Sequence, residues 1–337
     1  MKKLLLSIAI FGMALCANAQ TNQYFWYQGN LMLGTQIAQV DSVTFGDNES
    51  VDTLHLLLPR TIIKEVHDTT YITKYVPITK GSLAGEFSVS ASKKVRFAKG
   101  NLQYQPSTEK WRFAEHQFDT IGAANANIGS AYTGWLDLFG WGTGNNPLQT
   151  STSYNDYSSF VDWGVNAISN GGNEANIWRT LTKDEWAYLF ITRPNAATRF
   201  ALGSVAGING VILLPDEWTT PANVSVVFST AKGLEYKEGY YENKTGSSYG
   251  NNFADNTYSV EQWTILESAG AVFLPAAGRR YNTEVTDVNS RGDYFSSTPA
   301  EEARNMYALY YQSGSLHPTQ EIYRCNGRAV RLVQEVE

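Results

Sequence analysis

The spacing of Thr182 and Glu185 constrains this chain more than any other feature. Three residues apart, they match a capping box: the threonine hydroxyl accepts from the N–H of Glu185, and the glutamate carboxylate accepts from the N–H of Thr182. Trp186, Leu189 and Phe190 follow at i, i+3 and i+4, which gives one apolar face. The pattern predicts a short helix over 183–191, with Trp186 turned into a core.

Around it the apolar runs are short and end at turn residues, as strands do. Residues 94–97 and 101–104 read as a hairpin around Lys99 and Gly100, with 111–113 as the next strand. The runs 211–215 and 271–275 are strands stopped by proline, and 305–311 and 327–333 are closing strands. Aromatics and glycines alternate over 133–144, as in a packed irregular loop. The polar stretch 236–257, rich in Gly, Asn and Tyr, reads as loop. Upstream, 20–50 forms a small β unit of two strands, 24–27 and 36–45, turning near Gly29. A lone hairpin is marginal in water, so this piece needs a partner. Residues 51–84 read as an extended connector, either an edge strand or, preferred, a solvated stalk. The main domain takes 85–337.

The first 19 residues have the form of an export signal: basic Lys2 and Lys3, an apolar stretch from Leu4 to Leu15, and Ala17-Asn18-Ala19 as a small-x-small cleavage site. Cleavage would leave Gln20 first and send the chain to the periplasm, outer surface or medium. Cys16 raises lipidation, but bulky Leu15 precedes it where a small residue is needed. Nothing later approaches the roughly 20 apolar residues of a membrane helix, so the chain is not integral to a membrane. The 26 Lys and Arg against 32 Asp and Glu lack the basic footprint of a nucleic-acid binder. After cleavage Cys325 would stand alone, so packing rather than a disulfide must hold the fold. The 9 Trp, 20 Tyr and 15 Phe supply the apolar area for that.

The segment Trp178-Arg179-Thr180-Leu181-Thr182-Lys183-Asp184-Glu185-Trp186 resembles the "W-R-L-P-T-x-x-E-W" signature of C-type-lectin-like folds. These include formylglycine-generating enzymes and the Fibrobacter succinogenes major paralogous (FISUMP) domain. Leu213-Pro215-Trp218, Leu274-Pro275-Ala276-Ala277-Gly278-Arg279-Arg280, Asp293-Tyr294-Phe295-Ser296-Ser297-Thr298 and the run from Arg324 to Val333 follow in the FISUMP order. Two departures stand out: Thr182 follows Leu181 without a proline, and Phe295 stands where that family has Trp. The resemblance implies an α+β, C-type-lectin-like domain with a small, twisted, mainly antiparallel sheet, few helices and long loops. Val40-Asp41-Ser42-Val43-Thr44-Phe45 is similar to a segment near the start of secreted Bacteroidota proteins. That likeness implies O-glycosylation at Asp-Ser/Thr sites such as Ser42, Thr53, Thr69 and Thr120.

Chemistry is thin beside this. The copper site of formylglycine-generating enzymes needs two cysteines, and Cys325 is one; it reads as a small buried hydrophobe. The four histidines, His55, His67, His116 and His317, have no zinc spacing. Glu185 is a capping residue. Asp216 and Glu217 beside Trp218 offer half of a glycosidase pair, with a turn after Pro215 as the plainer reading. Asn251, Asn252, Asp255 and Asn256 are oxygen ligands suited to calcium, although the sugar-binding tripeptides of calcium-dependent lectins are absent. Trp135, Trp141 and Trp163 either stack on a ligand or build the core. Arg279 either grips a carboxylate or braces loops. The expectation is an exported, non-catalytic surface or periplasmic binding module. It needs no cofactor beyond possible calcium, and its partner is a glycan or a protein. The alternatives are a structural subunit that self-associates into a filament or layer, and a hydrolase.

Overall fold

The computed structural model describes residues 80–244 and 252–336, and the backbone of four earlier strands. Those four form two antiparallel hairpins: β1 (Asn22–Tyr27) with β2 (Asn30–Gln36), and β3 (Ile62–His67) with β4 (Thr70–Tyr75). By its internal contacts the chain divides into Met1–Leu57 and Leu58–Glu337, not at the expected 50 and 84. The first hairpin turns where the sequence suggested, but the second strand starts at Asn30 rather than 36, because so short a link places the partner strand at once. The connector holds a hairpin instead of a stalk, and its polar–apolar alternation fits a paired strand. The export signal 1–19, Cys16, and the candidate sites Ser42, Thr53 and Thr69 lie outside the described residues.

The main unit continues as β5 (Phe87–Ser88), β6 (Lys94–Phe97), β7 (Leu102–Gln105), β8 (Lys110–Phe113), α1 (Lys183–Ala187), β9 (Phe200–Val205) and β10 (Ile208–Leu213). Then come β11 (Leu234–Lys237), β12 (Tyr240–Asn243), β13 (Thr257–Tyr258), α2 (Val260–Ser268), β14 (Val272–Pro275), β15 (Arg279–Tyr281) and β16 (Glu284–Thr286). The last strands are β17 (Arg291–Pro299), β18 (Asn305–Gln312), β19 (Ser315–Tyr323) and β20 (Val333–Glu335). Sheet dominates and helices are few. The sheet is split in several: one of order β11-β12-β19-β18-β17, one of β13-β9-β10-β14, one of β20-β6-β5, and two-stranded pairs β7-β8 and β15-β16. Among the described residues, only the β13–β9 ladder is parallel.

The four-stranded sheet is buried on both faces, and the alternation of its side chains shows how. Phe200, Leu202, Val211, Leu213, Val272 and Leu274 pack on one side with Trp186, Phe190 and the inner face of the five-stranded sheet, through Tyr294, Leu309 and Tyr311. Ala201, Ile212 and Phe273 point the other way, onto Trp263 and Leu266 of α2. A third cluster joins Phe113, Phe139, Trp163 and Trp178 to Phe295 and Met306. α2 was not foreseen, yet Ser259 and Gln262 form a second capping box at its start.

The predicted short helix forms as α1, continued by a π-helical turn over Tyr188–Thr192. The Thr182 hydroxyl accepts from the Glu185 N–H (3.2 Å), and the Glu185 carboxylate accepts from the Thr182 N–H (2.8 Å). Five residues cannot hold a helix alone; burial of Trp186 does, with its indole N–H donating to the Phe295 carbonyl. Glu185 also pairs with Arg179 through both carboxylate oxygens. Thr182→Ala should therefore cost about 1 kcal/mol, and Glu185→Ala more, because the arginine then loses its two-oxygen partner and keeps only a single ionic contact, with exposed Glu335. Urea unfolding of both variants checks that order.

Three local expectations are corrected. β6 does not pair with 101–104: it lies between β5 and β20, with Phe97 facing Val333, while β7 pairs with β8. A pairing partner so far along the chain leaves no trace in local pattern. The segment 327–333 is no continuous strand. Its residues bond in turn to different segments, Gly327 to Arg280, Arg328 to Phe139 and Ala329 to Tyr294, because it threads between sheets. The expected loop 236–257 contains most of the β11–β12 hairpin, whose polar outer face concealed it; 245–251 lie outside the described residues.

Candidate functional site

The structure separates the proposed ligand-contacting tryptophans. Trp141 and Trp163 are core residues, 3% and 0% exposed. Trp141 donates its indole N–H to the Ser296 carbonyl, and Trp163 stacks on Phe295 at 5.8 Å with planes 10° apart. Filling the interior consumed them, so neither can meet a ligand ring. Trp135 stays half-buried, with the Arg112 guanidinium 3.9 Å over its ring. Arg112 itself is steadied by donating to Gln103.

Of the two candidate acids, Asp216 is committed to structure as well. Asp216 accepts from the Ser88 N–H and hydroxyl and from Arg193, with Lys94 3.7 Å away, so it joins segments rather than waiting for a substrate. Glu217 is exposed beside it. Asp293 is fully buried and gripped by two guanidinium groups: Arg291 donates through Nε (2.8 Å) and an Nη (3.0 Å), and Arg328 donates at 2.6 Å. Burial lowers Arg328 to about 10 against the opposing pull of Asp293, so it stays charged at neutral pH. Cys325 is buried and burial pushes its thiol up, the opposite of a reactive setting.

Asp137 is the exception among buried acids. It is fully buried, accepts from the Asn125 side chain (2.7 Å) and the Ile121 N–H (3.0 Å), and its pKa rises to about 6, foremost by desolvation. A carboxyl raised in the folded state favours folding below its ordinary pKa and loses that contribution as pH climbs through the folded value. The stability difference between the native chain and Asp137→Asn should therefore shift against the native chain by about 2 kcal/mol from pH 4 to pH 7. Urea unfolding at the two pH values reads it, and an unchanged difference would show that the carboxyl is not desolvated.

What the tertiary structure does assemble is a strip across the outer face of the five-stranded sheet. The Tyr240 ring stacks on His317 at 4.5 Å and 8°, His317 lies 5.5 Å from Tyr310, and the Arg291 guanidinium lies 4.6 Å from the Tyr310 ring centre. These four side chains, one from each of β12, β19, β18 and β17, are half-buried, so edges and polar tips face out while ring faces are largely taken by one another. Glu242 sits beside His317 and works against the burial that lowers its pKa. Arg279, the one proposed contact residue at this place, ends the strip, donating from Nε to Asp287 at 2.8 Å. Asp287 in turn acts electrostatically on Arg291 and Tyr310. Gly278 aims this corner: its φ is +73°, and a Cβ there would run into the Thr286 carbonyl. The sequence reading missed Tyr240, Tyr310 and His317. The signal present was their place at alternate positions of strands, with Tyr310 opposite His317 across the turn at Gly314.

The oxygen-rich loop gives less. Asn256 is spent internally, its side chain donating to the Leu202 and Val227 carbonyls and accepting from the Val227 N–H. Asn252 is buried, Asp255 half-exposed, and Asn251 lies outside the described residues. Among the described residues no group of three His, Cys, Asp or Glu is placed to hold a metal ion, and no helix is long and apolar enough to cross a membrane.

Fold and site together define a predominantly antiparallel β protein with few helices and an aromatic–arginine strip on one sheet face. No family model, curated protein or solved structure matches the chain.

Proposed function

We propose that this is an exported, non-catalytic binding module on a C-type-lectin-like scaffold, which engages a glycan through the strip of Tyr240, His317, Tyr310 and Arg291. The observation that carries the reading is the strip itself. Tyrosine and arginine are the residue types that anchor recognition surfaces, because they join large contact area to hydrogen-bonding tips. The order of motifs from Trp178 to Val333 supports the scaffold, and the basic, apolar and small-residue sequence before Gln20 supports export. Asp216, by contrast, is engaged in holding segments together, which argues against the hydrolase alternative at that residue. A glycan array and a pulldown, each with and without calcium, test the proposal. Binding that Tyr240→Ala and Tyr310→Ala weaken is the expected result; a blank in every arm would refute it.

One observation favours a second reading, self-association into a filament or layer. Each N-terminal hairpin is a sheet of two strands among the described residues, and such pairs gain stability by adding strands. Deleting residues 20–50 would then abolish oligomers in a sizing experiment while glycan binding persists.

A further inference from the structure

We infer that the strip selects neutral, hydroxyl-rich saccharides and rejects acidic ones. This rests on the glycan reading above and adds the chemical class. Each cation at the strip is already matched. Arg279 is held by Asp287 at 2.8 Å. Arg291 is held through two nitrogens by Asp293, a carboxylate with no exposed surface that also binds Arg328. A ligand carboxylate could reach only the remaining N–H groups of an arginine whose charge is compensated, because Asp293 already occupies Nε and one Nη of Arg291 and is itself held by buried Arg328. It would also bring its charge towards Asp287 and Glu242, two further anions along the strip.

The rest of the strip carries no net positive charge. Tyr240 and Tyr310 offer phenol groups, and burial depresses His317, which favours the neutral imidazole at pH 7. On β11 at the sheet edge, Glu235 and Lys237 are paired with each other. Donors and acceptors without charge match sugar hydroxyls, each of which donates and accepts. Shape agrees with this. Rings stacked on one another present their edges, so the contact is a row of hydrogen-bonding tips over four adjacent strands. At about 4.8 Å per strand that row suits a linear oligosaccharide rather than a single ring.

The test is calorimetric titration of the full chain at pH 7 with two sets of linear hexasaccharides, neutral (glucose, mannose or xylose units) and acidic (galacturonate or glucuronate units). Expected are binding of at least one neutral ligand, a loss of tenfold or more in Tyr310→Ala and Tyr240→Ala, and acidic ligands at least tenfold weaker. Tyr240→Phe, which keeps the ring on His317 and removes only the hydroxyl, should lose several-fold with an unchanged unfolding midpoint; this guards against misreading a folding defect. Acidic ligands that bind as well as neutral ones, and lose affinity in the same variants, would leave the glycan reading standing and overturn this inference. Binding untouched by the tyrosine variants would place the ligand elsewhere and overturn it too. No binding in either set would end both.

Discussion

Asp293→Ala is expected to destabilise the chain by about 3–5 kcal/mol, because it leaves Arg328 charged and buried without a counterion. Arg328 is 1% exposed, and its Nη1 donates to Asp293. Arg291 keeps about 20% of its side-chain surface and can turn to water. The loss should therefore come mainly from Arg328. Removing both buried charges with apolar residues of similar size, as in Asp293→Leu with Arg328→Met, should cost less than the single alanine change. Urea unfolding of the two variants decides it; a double variant worse than Asp293→Ala would show that the pair contributes more than mutual neutralisation.

Trp163→Ala should lose about 3–5 kcal/mol, through lost apolar burial and the cavity left behind. Trp163 has no exposed surface, stacks on Phe295 and meets Phe139 and Phe160 at 6.4 and 6.0 Å. Trp135→Ala removes a half-buried ring and one contact with Arg112, so its cost should be about 1 kcal/mol. Equal losses at the two positions would mean that Trp135 is as much a core residue as Trp163. The contrast matters for function, since only the ring that stability spares remains available to a ligand.

The local grammar of the fold was readable from sequence. The Thr182–Glu185 box and the apolar spacing behind it specified α1, because both depend on atoms within one helical turn. The strands at 211–213 and 272–274 were readable for a similar reason: continuous apolar runs ended by proline mark strands buried on both faces. Resemblance in motif order suggested a scaffold but could not say which of several sheets each motif joins.

The candidate site was readable only in part. Arg279 was singled out and lies at the strip, whereas Trp141 and Trp163 proved to be core, since composition shows how many large rings exist and not which face of the chain they take. Tyr240, His317 and Tyr310 sit in separate segments; each alone is an ordinary strand residue. Asp293 shows the same divide: its charge is visible in the sequence, but its grip on Arg328, 35 residues on, depends on where the terminal segment threads.

By itself, then, the sequence determined the acidic composition, the helix start, the short apolar strands and the shortage of paired cysteines, all of them properties of single residues or near neighbours. Only the tertiary structure decided which aromatics are buried, which acids are neutralised, and that four strands place tyrosine, histidine, tyrosine and arginine in a row. The reason is physical: burial and cross-strand stacking depend on contacts between distant segments, and these are set by the packing of the whole core rather than by any one stretch of it.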